Sequence, residues 1–168
     1  MDIKKECYKL YCDEFGEDEF SIRLFDKCFK YCKWYEVNGK PVSILFLFPC
    51  RIEIQNNIYN AKYIFAVTTD KEYRNRGYMK KMLSELDIKE ILFLKPSSDS
   101  LIDYYNKLGF KVFNATEKRV GDKKVVLSDD FYNFAKDYEV NSKFSYKAMY
   151  KFSKEINLNN LYFPYTME

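Results

Sequence analysis

The sequence contains no histidine among its 168 residues. Histidine is the commonest general base near neutral pH and a frequent metal ligand. Its absence therefore excludes the Ser–His and Cys–His nucleophile pairs and every zinc site that needs imidazole. Proton transfer in any enzyme built from this chain must fall to Glu, Asp, Tyr, Lys, Cys or water.

Proline and glycine are also scarce, with four and five residues, while apolar residues make up 47% of the chain. A chain of this size and composition can bury enough apolar surface to offset the entropy of ordering, which predicts one compact domain over residues 1–168. The longest apolar stretch, around residues 44–48, is far shorter than the roughly 20 residues that a membrane helix needs. We therefore expect no membrane partner.

Charge is nearly balanced, since 28 basic and 25 acidic residues give a formal net charge of +3. Both signs are mixed along the chain, so we expect no nucleic-acid partner. The five cysteines are odd in number, which favours a reducing compartment, and they lack close CxxC pairs, which favours buried thiols over a metal site. Charged residues stand near Met1 where a signal peptide needs an apolar run, so we expect a cytoplasmic location.

The first part of the chain predicts two helices followed by three antiparallel strands. Apolar residues recur at three- and four-residue steps over 2–15 and again over 17–29, as in amphipathic helices that cover a sheet. Two turns, at Asn38-Gly39 and Asn56-Asn57, separate runs with strand composition, and Asn-Gly readily adopts the positive φ of a tight hairpin. The predicted strands cover residues 31–37, 42–54 and 58–68.

Helices and strands alternate after the third strand. A polar loop leads into a helix over 78–86, and a short buried strand, a second helix and another strand follow. Such a βαβα unit predicts parallel crossover strands. The predicted elements are a strand over 91–94, a helix over 99–108 and a strand that begins at 110. The aromatic-rich part over 120–168 predicts a hairpin over 120–128, helices over 131–138 and 144–156, and a strand over 161–165.

The polar loop before the helix at 78–86 carries the main functional signal. It contains Arg74, Asn75, Arg76 and Gly77. A basic, glycine-containing loop that runs from a strand into a helix presents unpaired backbone N–H groups and the positive end of the helix, which favours phosphate binding. Gly77 would let the backbone approach a diphosphate, and the arginines would add charge around it. The alternative is an exposed basic helix start.

Two segments resemble motifs of the GNAT N-acetyltransferases. Val67-Thr68-Thr69-Asp70 and Arg74-Asn75-Arg76-Gly77-Tyr78-Met79 resemble the strand end and the (Gln/Arg)-x-x-Gly-x-(Gly/Ala) pyrophosphate loop of that family. Met79 stands where a small residue is usual, and the sequence Gly-Tyr-Met is similar to the one found at this position in the Eis-like bacterial subset. Further along, Tyr105-Asn106-Lys107-Leu108-Gly109-Phe110 resembles the Tyr-x-(Lys/Arg)-x-Gly-Phe ending of the family's fourth helix.

The resemblance covers roughly residues 31–113, which would form the core of a single GNAT-like domain over 1–168. It implies an α/β (α+β) fold with a mixed, mostly antiparallel central sheet and helices on both faces. That sheet would splay between the family's fourth strand, which precedes the polar loop, and its fifth. Acetyl-CoA would lie in the opening as cosubstrate. The cofactor-binding residues that it implies are Val67, Thr68, Thr69, Arg74, Asn75, Arg76, Gly77, Tyr78, Met79 and Ser98, the last standing where members often carry asparagine.

Two residues are candidates for proton transfer. Tyr105 matches the tyrosine that protonates the departing CoA thiolate in many members, and its alternative role is packing beside Phe110. In many members a glutamate on the fourth strand acts as the general base, but this chain has no carboxylate on that strand. Glu53 on the preceding strand is the best substitute for this base, with Asp70, Glu72 and a water chain as alternatives. The non-functional interpretation of Glu53 is an outward-facing strand residue.

The resemblance implies transfer of an acetyl group from acetyl-CoA to a primary amine of a small molecule or peptide, by direct attack. Two other hypotheses stay open, a non-catalytic acyl-CoA-binding module with the same fold and an aromatic-rich interaction protein. A cysteine nucleophile at Cys50 lacks support. The sequence does not identify the acceptor or the oligomeric state, and a homodimer is one of the open states.

Overall fold

The computed structural model describes residues 1–141 and 144–167, which divide into two compact units. The first unit comprises residues 1–47 and 64–86, and the second comprises residues 48–63 and 87–168. Two long strands, β2 (Lys40–Ile54) and β3 (Asn57–Thr69), contribute residues to both units. A single domain over 1–168 stays a prediction.

The first unit contains the predicted pair of helices and the first hairpin. Asp2 caps α1 (Ile3–Phe15) by accepting from the Lys5 N–H, and Asp18 forms a capping box with Ser21 at the start of α2 (Glu19–Cys28). β1 (Cys32–Val37) then pairs with β2 in antiparallel register. At the turn between them, Asn38 and Gly39 have φ values of 52° and 78°, as the sequence predicts. The unit ends with β3 and α3 (Tyr78–Ser84).

The core of the first unit lies between the two helices and β2. Phe25 of α2 is 3% exposed and meets Phe46 of β2 edge to face, with ring centroids 5.4 Å apart. Burying a side chain of this size stabilises the fold by about 1.5–3 kcal/mol. Cys7, Cys28 and Cys32 are buried in the same layer. Within the described residues, no group of three His, Cys, Asp or Glu side chains is placed to hold a metal ion.

The second unit holds the later strands. Residues Ala61–Tyr63 of β3 pair in parallel with Ile91–Phe93 of β4, while β4 and β5 both pair antiparallel with β7. β4 and β5 therefore point in one direction, as predicted for crossover strands. The elements are β4 (Ile91–Leu94), α4 (Ile102–Lys107), β5 (Lys111–Thr116), β6 (Lys123–Leu127), α5 (Asp129–Ala135), β7 (Ser145–Lys151) and β8 (Leu161–Tyr162).

The predicted fold class is confirmed. The strands form a mixed sheet whose residue pairs are mostly antiparallel, and helices flank it. The pairing of β3 with β4 ends at Tyr63 and Phe93, whereas β3 runs on to Thr69. No helix in the described ranges has the length and apolarity to cross a membrane.

Two predicted elements of the C-terminal part are wrong. The predicted helix over 144–156 is instead strand β7, because Ala148 and Met149 are buried where β7 pairs with two neighbours, and this pairing overrides the local helical spacing. The predicted hairpin over 120–128 is the single strand β6, which pairs with Cys50–Ile54 of β2. The final strand is confirmed but covers only two residues.

Candidate functional site

The end of β3 has a distorted backbone. Ala66 has a φ of 57°, in the left-handed region that non-glycine residues seldom adopt. Such a residue within a strand interrupts the ladder and redirects the peptide groups that follow, here those of Val67 and Thr68. The strand end is nevertheless held by a hydrogen bond, because the hydroxyl of Thr69 lies 2.8 Å from the hydroxyl of Ser43, which is fully buried.

A tight turn connects β3 to the basic loop. The Asp70 N–H donates to the Val42 carbonyl at 2.8 Å, which holds the turn against β2. The Asp70 carboxylate accepts from the Glu72 N–H at 2.9 Å, and its carbonyl accepts from the Tyr73 N–H at 2.9 Å. The carboxylate of Asp70 therefore caps a short 3₁₀ turn, Lys71–Tyr73.

Arg74 holds the loop in place. Its Nε donates to the Thr69 carbonyl at 2.9 Å, and its Nη2 lies 2.7 Å from Oε2 of Glu14 on α1. The side chain therefore ties the loop to the end of its own strand and to the first helix. The exposed ion pair with Glu14 shows a positioning contact, and the expectation that Arg74 also supplies charge around a phosphate stays a prediction.

Asn75 and Gly77 explain the shape of the loop. Their φ values of 63° and 83° place both residues in the left-handed region, one on each side of Arg76. Gly77 tolerates this backbone without cost, and a Cβ built on it would meet nothing within 4 Å. The glycine is therefore required for its conformation and leaves open space in front of the backbone.

The helix after the loop begins without a capping side chain. Gly77 is the N-cap of α3 and has no side chain to accept from the first-turn N–H groups, which are the donors that a helix start leaves unpaired. Met79, at the position where the family motif usually has a small residue, is 7% exposed and packs into the core with Met82 and Leu83. Its contribution to a ligand would come from the backbone.

Cations and aromatic rings alternate beside this helix start. The Arg76 guanidinium lies 5.2 Å from the centroid of the Tyr73 ring, and the ring of Tyr78 stacks on that of Tyr35 at 5.2 Å. Lys81 Nζ lies 5.4 Å from the Tyr35 centroid. The sequence could not predict the contact of Tyr35 with this segment, since Tyr35 belongs to β1 and no local pattern connects it with the loop.

Glu53, the predicted base, lies in the second unit between two cations. Its Oε2 is 2.7 Å from Arg51 Nε, and its Oε1 is 3.8 Å from Lys124 Nζ on β6. The hydrogen bond from Arg51 is the largest cause that lowers the pKa of Glu53 below its ordinary value, and it outweighs the opposing effect of burial. The carboxylate is ionised at neutral pH, and its lowered basicity weakens it as a proton acceptor.

Tyr105, the predicted acid, also lies in the second unit and is 5% exposed. Its ring meets Phe110 edge to face at 5.8 Å, and Tyr104 lies beside it at 5.2 Å. Burial, and then the neighbouring Tyr104, raise the pKa of Tyr105 well above its ordinary value, so the phenol keeps its proton at neutral pH. Gly109, with a φ of 93°, turns the chain after α4 so that Phe110 can donate to the Tyr105 carbonyl at 3.1 Å.

Two further residues of the second unit were named from the sequence. Ser98 begins a 3₁₀ turn, and its exposed hydroxyl lies 2.7 Å from that of Ser100. Burial raises the pKa of Cys50 to about 12, which disfavours a thiolate nucleophile. The structure thus brings the predicted residues from Val67 to Met79 together in the first unit, and places Glu53, Ser98 and Tyr105 in the second.

The strand end, the left-handed basic loop and the helix start thus follow one another in the order that the resemblance to the GNAT family implies. Residues 5–113, more than half of the chain, match the family model described as acetyltransferase (GNAT) domain. The chain belongs to this family, whose chemistry is acyl transfer. The resemblance drawn from the two sequence motifs is confirmed. A comparison with curated proteins gave no match.

Solved structures with the same fold include the following three. A probable N-acyltransferase from Enterococcus faecalis V583 aligns with a TM-score of 0.54 and 20% identity, covering 70% of this chain and 34% of that protein. Eis1 from Mycobacterium abscessus gives a TM-score of 0.53 and 10% identity, covering 70% and 33%. The Bacillus subtilis N-acetyltransferase YlbP, solved in complex with coenzyme A, gives 0.52 and 12%, covering 87% and 90%.

At these identities the likeness to solved structures shows the fold alone. The chain spans about a third of the length of the Enterococcus and Mycobacterium proteins, whereas it covers 90% of YlbP.

Proposed function

We propose that the protein is an acetyl-CoA-dependent N-acetyltransferase, which moves an acetyl group to a primary amine of a small molecule or peptide by direct attack of the amine. One observation carries the proposal. Within a chain that matches the GNAT family over residues 5–113, left-handed Gly77 precedes an α-helix whose first turn has no capping side chain.

The groups around Gly77 fit a diphosphate. The first-turn N–H groups of α3 are donors without an N-cap side chain, and the space in front of Gly77 is open. Arg76 is exposed and stands between the two left-handed residues, so we assign it the charge that faces the phosphates. Arg74 is assigned a positioning role, because its hydrogen bonds to Thr69 and Glu14 hold the loop in this conformation.

We assign to the end of β3 the binding of the acyl end of the cosubstrate. Bound acetyl-CoA supplies the acetyl thioester, and main-chain groups of Val67 and Thr69 would bind its arm as an added strand binds a sheet edge. The Val67 N–H would donate to the acetyl carbonyl oxygen, which stabilises negative charge at that position. The distorted backbone of Ala66 supports this role, because it turns the next peptide group out of the regular strand direction.

Tyr105 and Glu53 are assigned the two proton transfers. The buried phenol of Tyr105 holds a proton that the leaving sulfur can accept. An alkyl ammonium has a pKa near 10, so the acceptor must lose a proton before it attacks. Glu53 accepts that proton in this proposal, directly or through water. The ion pair with Arg51 opposes this role, and a pH profile can test it.

Replacing Arg51 with alanine is expected to move the acid limb of the kcat/KM profile to higher pH. A base must be deprotonated to act, so activity falls as the pH drops through the pKa of Glu53. Arg51 lowers that pKa, and its removal therefore raises it. Lys154→Ala, which removes an exposed charge elsewhere in the unit, serves as the control. If the acid limb does not move in Arg51→Ala and the Glu53→Gln variant keeps its activity, water or another carboxylate removes the proton from the acceptor amine.

The proposed function is tested by combining a thermal-shift assay with a thiol-release assay. Acetyl-CoA is expected to raise the melting temperature, and one or more amines from a panel of aminoglycosides, polyamines, amino acids and short peptides should drive CoA release. The absence of both effects would reject the proposal.

Stabilisation without turnover would instead support a non-catalytic acyl-CoA-binding module. One observation favours that second candidate. β3 is the strand on which many members carry the glutamate that removes the proton, but here it has no carboxylate, and Lys62 is its only charged residue.

A further inference from the structure

Three tyrosines and one glutamate form a cluster in the second unit, where Tyr162 of β8 pairs with Lys124, the β6 residue that also pairs with Glu53. Tyr132 of α5 and Tyr165 near the C-terminus meet at 83°, with ring centroids 6.2 Å apart. The Tyr162 hydroxyl donates to Oε1 of Glu139 at 3.3 Å. We call Tyr132, Glu139, Tyr162 and Tyr165 the aromatic–carboxylate cluster.

Backbone contacts hold the two segments of the cluster together. The Val140 N–H donates to the Pro164 carbonyl at 2.9 Å, so the neighbours of Glu139 and Tyr165 are joined directly. Phe163 is 2% exposed, and its carbonyl accepts from the Tyr146 hydroxyl at 2.7 Å. The cluster is therefore built on an anchored part of the chain.

A ligand can reach the cluster from solvent. Tyr132 is 44% exposed, Glu139 is exposed, and Tyr162 and Tyr165 are half-buried. Burial, and then the charge of Glu139, raise the pKa of Tyr165 to about 12, so its phenol stays neutral at physiological pH. Neutral tyrosine rings present electron-rich faces, and the nearby carboxylate adds a full negative charge.

This combination suits an organic cation. Aromatic faces attract ammonium groups electrostatically, and their apolar carbon surface also contacts alkyl substituents. Hard metal ions prefer shells made of oxygen ligands, which two ring faces do not supply. Arg119 brings a positive charge toward Tyr162, and its Nε donates to the Gly121 carbonyl at 3.4 Å. Glu139 Oε1 also accepts from Asn141 Nδ2 at 3.4 Å, so an incoming cation meets a carboxylate that already has two neutral donors.

We propose that the aromatic–carboxylate cluster is a binding site for an alkylated ammonium group. The rings of Tyr132 and Tyr165 form two perpendicular walls of the site, and Glu139, oriented by Tyr162, supplies the counter-charge. The site goes beyond the proposed acetyl transfer and does not depend on acetyl-CoA binding.

The test is an NMR titration of the full chain with choline and, in parallel, with 3,3-dimethylbutan-1-ol, which has the same shape without the charge. Choline is expected to bind with a Kd on the order of 1 mM, consistent with a few cation–π contacts and one carboxylate. The neutral alcohol should bind at least about tenfold more weakly, which corresponds to about 1.4 kcal/mol. Equal binding of the two, or no binding of choline, overturns the proposal.

Variants locate the binding. Glu139→Gln and Tyr132→Leu should each weaken choline binding, whereas Tyr132→Phe should leave it nearly unchanged because the ring remains. Glu155→Gln, which removes an exposed negative charge elsewhere in the unit, is the matched control. Choline binding that survives both Glu139→Gln and Tyr132→Leu overturns the assignment. The acetyl-CoA thermal shift is measured on the same variants, so failure of this site is distinguishable from failure of the acetyltransferase proposal.

Discussion

Replacing Gly77 with valine is expected to abolish the stabilisation of the protein by acetyl-CoA. Gly77 has a φ of 83°, and a left-handed conformation costs an ordinary residue about 1–2 kcal/mol, with β-branched residues among the least tolerant. A Cβ at this position would meet no atom within 4 Å, so crowding inside the protein is not the cause. Instead the backbone leaves its left-handed conformation, and the N–H groups that begin α3 turn away from the phosphates.

The size of the effect follows from ligand linkage. A ligand present at a hundred times its Kd stabilises the folded state by about 2.7 kcal/mol, and this whole increment should vanish in Gly77→Val. The measurement is the melting temperature with and without acetyl-CoA. Gly39→Val is the matched control, because Gly39 also has a left-handed φ, 78°, and open space at its Cβ position, but it lies in the turn between β1 and β2. Full stabilisation of the Gly77→Val variant would show that the diphosphate does not bind at this loop.

The sequence predicts these features well because their chemistry is local. The turn at Asn38-Gly39 and the helix start after Gly77 each depend on a few adjacent residues whose backbone preferences are known. The same locality explains why the GNAT motifs identify the family from short segments. The ending of α4 at Gly109 belongs to this group too, since one glycine with a positive φ sets the turn before Phe110.

Features that depend on distant partners could not be predicted. Arg74 pairs with Glu14, sixty positions earlier in the chain, so its role in positioning the loop is not visible in the motif. The sequence predicts Glu53 as a candidate base but not its partner Lys124, which reaches it because β6 pairs with β2 rather than forming its own hairpin. The mistaken helix over 144–156 has the same origin, since two neighbouring strands decide the conformation of β7.

Replacing Tyr105 with phenylalanine is expected to slow CoA release by roughly 10²–10⁴-fold, the usual contribution of a positioned proton donor, while the affinity for acetyl-CoA is unchanged. Phenylalanine keeps the ring that packs against Phe110 and Tyr104 and removes only the hydroxyl. The raised pKa of Tyr105 keeps the phenol protonated at neutral pH, while the same shift makes it a weaker acid and opposes the donor role.

The predicted loss must therefore appear in kcat and not in the thermal shift with acetyl-CoA. Tyr104→Phe is the control, because Tyr104 is the adjacent, 37% exposed tyrosine and carries no proposed role in proton transfer. A Tyr105→Phe variant with wild-type turnover would assign Tyr105 to packing alone. A variant that loses stability and cosubstrate affinity together would show the hydroxyl to be structural, since a proton donor used only during transfer leaves the resting protein and its binding equilibrium unaltered.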